Sequence, residues 1–159
     1  MAVALTGPLL GLSACSDNAA PSVADTPFTL LDGSKSSTGQ FKGRVTLVNF
    51  WATSCSTCVK EMPELAATYE AFRTRGFDTL AVAMSYDPPA YVMAFAKSRA
   101  LPFKVAMDHD GLLAKNFGDV QITPTSFLLD QQGRIVKRYV GEPDFAALRG
   151  LIEQLLQTT

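Results

Sequence analysis

Two cysteines three residues apart, Cys55 and Cys58, hold the most chemistry in this chain. They follow a β-branched and aromatic run, Val45 to Ala52 (VTLVNFWA), and lead into a stretch where Met62, Leu65, Ala66, Tyr69 and Phe72 recur at helical spacing. The run is too short for a helix and too apolar for a half-solvated strand, so it reads as a central strand buried on both faces. The pair therefore falls where a buried strand turns into a helix. On a first helical turn two such sulfurs lie close enough to join. Cys55 would meet the unpaired N–H groups and the positive end of the helix dipole, which favour a thiolate. A lowered thiol pKa gives a sulfur that is more ionised at neutral pH and a better leaving group. Cys55 is thus expected to attack, and Cys58, one turn inside, to resolve. A zinc site would need four ligands, and only Cys15 and His109 could join the pair, neither at ligand-pair spacing. A permanent structural disulfide would close too short a loop to restrict the unfolded chain much. Position and spacing together favour redox use.

A second feature lies downstream. Ile122-Thr123-Pro124-Thr125 sets a proline directly before an apolar strand, where it would lose a ladder hydrogen bond. A cis Thr123–Pro124 bond would turn the chain there and leave the Thr123 backbone open to a partner. Other features read as framework. Asp108-His109-Asp110-Gly111 begins like a calcium loop, but Leu112 and Leu113 occupy a ligand position and the required glycine. It reads as a turn with His109 on the surface, and no metal is expected.

The elements that must position these residues alternate. Phe28 to Leu31 closes at Asp32-Gly33 as the start of a hairpin. The strand at Val45–Ala52 and a helix from about Cys55 to Arg75, capped by Gly76, follow. Thr79 to Ser85 is a second buried strand, Pro88-Pro89 opens a helix with Val92, Phe95 and Ala96 inward, and Phe103 to Met107 is a strand. A short helix over Leu112 to Phe117 precedes a hairpin of Thr125–Leu129 and Arg134–Val140, and Asp144 caps a last helix with Leu148, Leu151, Ile152 and Leu155 inward. Strands separated by helices call for an α/β fold: a central mixed sheet between helical layers.

The chain has 159 residues, enough for one core, with a net charge of −1 and neither sign clustered. No basic face is readable, so no nucleic-acid partner is expected. No apolar run reaches the ~20 residues that span a bilayer.

Together these residues resemble the thioredoxin superfamily, with its strand, W-x-x-x-C-x-x-C, helix and cis-proline loop. They are most similar to the membrane-tethered, extracytoplasmic TlpA/ResA-like thiol–disulfide oxidoreductases. The resemblance runs from about Thr26 to the C-terminus through Val48-Asn49-Phe50-Trp51-Ala52-Thr53, Cys55, Cys58, Lys60-Glu61-Met62-Pro63-Glu64-Leu65, Asp108-His109-Asp110-Gly111 and Ile122-Thr123-Pro124-Thr125-Ser126-Phe127. It implies a three-layer α/β/α thioredoxin-like fold with an N-terminal β-hairpin extension and a central α/β insert, roughly Asp87 to Met107. It implies no cofactor beyond a redox-active Cys55–Cys58 disulfide. Thr123, Pro124 and Trp51 would form the client-binding surface, with Trp51 flanking the cysteines. Ser54 and Thr57 stand where relatives usually carry Trp and Pro, and Asn49 stands where cytoplasmic thioredoxin has a buried Asp. Glu61 is the expected substitute for that acid: it follows Cys58 by three residues, so it shares nearly the same helix face. Buried beneath the pair, it would exchange a proton with Cys58, the role proposed for a Glu at this position in relatives.

Residues 1–14 are small and apolar without charge, and Leu12-Ser13-Ala14-Cys15 resembles the lipobox of bacterial lipoproteins. It implies cleavage before Cys15 and lipidation of that residue, with 15–25 as a flexible tether and 26–159 as the domain. The expected protein is a periplasmic or extracytoplasmic, lipid-anchored monomer. It would reduce client disulfides, with apocytochrome c cysteines or copper-site assembly factors as typical clients, and would be recharged by a membrane thiol donor. Two rivals match less well. A peroxiredoxin-type peroxidase needs P-x-x-x-T-x-x-C, but Thr53 lies two residues before Cys55 and Val48 holds the proline position. A copper-handling chaperone of this fold uses C-x-x-x-C, one residue longer than the spacing here.

Overall fold

A computed structural model describes residues 21–158. The chain forms β1 (Pro27–Leu30) and β2 (Lys35–Ser37), a 3-10 turn at Thr38–Phe41, and β3 (Val45–Trp51). Then follow α1 (Ser56–Phe72) with a 3-10 turn at Arg73–Arg75, β4 (Phe77–Ala83), α2 (Pro89–Ser98), β5 (Lys104–Met107) and α3 (Leu112–Asn116). The hairpin β6 (Thr125–Leu129) and β7 (Ile135–Val140) precedes α4 (Phe145–Gln157). The strands make one sheet in the order β2-β1-β5-β4-β3-β6-β7. β3, β4 and β5 run parallel, while β6, β7, β1 and β2 are antiparallel to their neighbours.

All seven residues of β3 are buried, and its side chains alternate between two cores. Val45, Leu47 and Trp51 face a core filled by Met62 and Leu65 of α1, Val92 of α2, and Leu148 and Ile152 of α4. Val48 and Phe50 face a second core with Leu113 of α3, Phe117 and Phe41. The sheet is therefore the middle of three layers, as expected. α1 ends at Phe72, and the 3-10 turn that continues it ends where Gly76 adopts the left-handed conformation, φ 101°, that a side chain disfavours. Pro63 is held within an uninterrupted α1.

One boundary differs from expectation. Residues 21–25 are docked on the domain and are not a free tether. Ile135 N–H donates to the Pro21 carbonyl at 2.9 Å, Gly39 N–H to Asp25 at 2.8 Å, and the Thr38 hydroxyl to the Ala24 carbonyl at 2.9 Å. The β7 edge has N–H groups to satisfy, and this segment satisfies one of them. Residues 1–14, Cys15 and the rest of the expected tether up to residue 20 lie outside the described residues.

Candidate active site

β3 delivers the chain to the site at the carboxyl end of the parallel strands, where α/β sheets present their functional loops. The turn after it closes with Cys55 N–H donating to the Ala52 carbonyl at 3.1 Å. Cys55 is then the N-cap of α1: its sulfur accepts from Cys58 N–H at 3.2 Å. The two cysteines are joined as a disulfide, with Cα atoms 5.2 Å apart. Cys55 is partly exposed and Cys58 is buried, so an incoming group reaches the first sulfur.

Below the pair lies a polar cluster inside the core. Glu61 is fully buried on α1 and accepts from the Asn49 amide of β3 at 2.8 Å. The same amide group donates to Ser126 of β6 at 2.9 Å. Burial pushes the Glu61 carboxyl from 4.5 up to about 7, against the pull of the Asn49 hydrogen bond, and the charge of Glu142 adds to the rise. Its Oε2 is buried without a hydrogen-bond partner. Glu142 is itself paired with Lys60 at 3.0 Å on the surface.

The Thr123–Pro124 peptide is cis. Thr125 pairs with Phe50 across the sheet, which brings Pro124 to the same end as Trp51 and the turn into Cys55. The Pro124 carbonyl accepts from Gly141 N–H at 2.8 Å, and Thr125 Oγ1 donates to the Ile122 carbonyl at 2.7 Å. Thr123 is half-buried.

Trp51 requires a correction. It shares a core cluster with both cysteines, but it is fully buried, with its ring 5.1 Å from that of Phe95. The reason is strand alternation: position 51 points to the same face as Val45 and Leu47, under α2, and offers no surface to a client. His109 is exposed, and Asp108 beside it caps α3 by accepting from the N–H groups of Leu113 and Ala114. Among the described residues no group of three metal-ligating side chains is brought together. Three residues joined to the site are given no site role by the sequence: Ser126, Glu142 and Asp87. Each reaches it through tertiary contact alone.

A family model described as Redoxin matches residues 16–152. The chain is 36% identical over 114 residues to "Thiol-disulfide oxidoreductase ResA" of Bacillus thuringiensis, a match covering 72% of this chain and 65% of that protein. It superposes with a TM-score of 0.80 on the solution structure of a protein from Neisseria meningitidis provisionally assigned as a thioredoxin, at 38% identity and covering 86% and 91% of the two chains. It superposes with a TM-score of 0.79 on a thiol:disulfide interchange protein of Chlorobium tepidum, at 25% identity and covering 89% and 99%. The chain belongs to the Redoxin family. Within it, the chain is a ResA-like member of the thioredoxin superfamily that spans 65% of the length of the Bacillus thuringiensis relative, and it carries a disulfide-bonded C-x-x-C pair at the head of α1.

Proposed function

We propose that this protein is a membrane-tethered, extracytoplasmic reductase of specific client disulfides, anchored by lipid on Cys15. The observation that carries the reading is the asymmetry of the pair over a buried acid: Cys55 accessible at a helix N-terminus, Cys58 buried, Glu61 one turn on. In the reduced protein the Cys55 thiolate attacks one sulfur of a client disulfide. A Cys55–client disulfide forms, and the other client sulfur leaves as a thiolate that takes up a proton. Cys58 then gives its proton to Glu61 and attacks the Cys55 sulfur; the second client sulfur leaves as a thiolate that takes up the proton Glu61 returns, so the client departs as a dithiol and Cys55–Cys58 is left oxidised. A carboxyl titrating at about 7 is suited to this, since it accepts and returns a proton near neutral pH. Two electrons and two protons from a membrane thiol donor restore the dithiol. Thr123 and Pro124 would flank the client segment, and the clients that the family resemblance implies are apocytochrome c cysteines or metal-site assembly proteins.

Cys58→Ser removes the resolving thiol and should hold clients on Cys55. Mixed disulfides released by reductant and absent from the Cys55→Ser/Cys58→Ser double variant are the expected outcome. Adducts that form equally in the double variant would sink the reading.

A further inference from the structure

Two residues before Cys55, Thr53 makes no hydrogen bond of its backbone N–H or hydroxyl to its own turn. Both go to a single side chain thirty-four positions away. Asp87 Oδ2 accepts from Thr53 N–H at 2.6 Å, and Asp87 Oδ1 accepts from the Thr53 hydroxyl at 2.6 Å. Asp87 is 3% exposed and lies in the loop after β4. It does not cap α2, whose N-cap is Pro88 and has no side-chain cap. Its own backbone is fixed by a turn, Asp87 N–H to the Met84 carbonyl at 3.0 Å, and by the proline that follows, which narrows its φ/ψ range. Met84 N–H in turn donates to the Trp51 carbonyl at 3.0 Å, so the two loops leave the sheet already in register.

We propose that Asp87 is a positioning residue of the redox site: by binding both donors of Thr53 it fixes the turn that sets the Cys55 sulfur on the N-terminus of α1. The argument is one of placement. Thiolate stabilisation by helix N–H groups falls off within the first turn, so it depends on holding the sulfur there when the disulfide opens. The turn Ala52–Ser54 is anchored at its start by buried Ala52, whose carbonyl takes the Cys55 N–H, while Ser54 is exposed, so the Asp87 carboxylate is what holds the middle of the turn at Thr53. A carboxylate with two oxygens matches the two donors of Thr53, and an amide cannot, because its NH₂ would face a donor. Glu61 and the Lys60–Glu142 couple share no hydrogen bond with the clamp: Glu61 accepts from Asn49 and Glu142 pairs with Lys60.

The inference rests on Cys55 being the attacking thiol, and the test separates the two. The pH dependence of iodoacetamide alkylation at Cys55, read by mass spectrometry, is compared for the full chain, Thr53→Val, Thr53→Ser and Asp87→Asn in the reduced state. A wild-type midpoint no lower than that of a free cysteine would fail the reading of Cys55 itself. If the wild type is depressed, Thr53→Val and Asp87→Asn should each raise the midpoint by about half to one pH unit. Below both midpoints alkylation then slows about three- to tenfold. Thr53→Ser, which keeps both donors, should restore the wild-type profile. Midpoints unchanged in Thr53→Val and Asp87→Asn, even with a lowered melting temperature, would reduce the clamp to a structural tie and overturn the proposal. So would a fall in Asp87→Asn with no change in Thr53→Val, since that is the signature of a through-space charge.

Discussion

A carboxyl buried without a cation beside it is kept for what its proton does, because burial alone makes its charged form costly. Glu61 is such a group, with one oxygen on the Asn49 amide and a titration near 7 set first by burial. An acid whose pKa is raised on folding holds its proton more tightly in the native state. Its contribution to stability is therefore complete below about pH 4.5 and is lost as pH rises through about 7. Glu61→Gln removes that dependence. Relative to the wild type, the variant should gain stability by roughly 3 kcal/mol between pH 4.5 and 7 and level off above, as read from urea midpoints across that range. In the reduced protein the same substitution removes a negative charge beneath the thiols, so they should ionise at lower pH and the resolving step should slow. Parallel stability curves and superimposable alkylation profiles would mean the carboxyl is electrostatically remote from the pair.

Among the elements, two aspartates cap two helices under different conditions. Asp144 is exposed and accepts from the N–H groups of Ala146 and Ala147 at the head of α4. Asp108 is buried and accepts from Leu113 and Ala114 in α3. Water replaces the first cap when it is removed and cannot reach the second. Asp144→Ala should cost about 1 kcal/mol and Asp108→Ala roughly 2–4 kcal/mol, by chemical denaturation; equal losses would contradict the burial argument. These elements also show what the sequence made legible. β3 was readable because seven successive side chains are buried on two faces, a pattern that belongs to one residue run. α4 was readable because its cap and its inward Leu148 and Ile152 are local. The burial of Trp51 is not legible, because neighbourhood to Cys55 along the chain says nothing of which face a strand residue takes. The Thr53–Asp87 clamp and Ser126 were not readable, since each bond joins positions that only the folded sheet brings together.

For the molecule as a whole, residues 21–25 extend the folded unit toward the N-terminus. A chain starting at Thr26 loses the Pro21, Ala24 and Asp25 hydrogen bonds and should be destabilised by about 1–3 kcal/mol against one starting at Pro21, with an unchanged fold by circular dichroism. Identical melting curves would return the segment to the tether. Its docking point also fixes a distance and a direction. Pro21 meets Ile135, which pairs with Leu129, which pairs with Thr46 at the entry of β3, while the sulfurs follow Trp51 at its exit. That strand puts roughly 17 Å between the two ends. From Cys15 to Pro21 the chain spans at most about 22 Å. A lipid on Cys15 would thus hold the protein on a short leash by its base, with the disulfide at the far pole, turned toward whatever moves through the space above the bilayer.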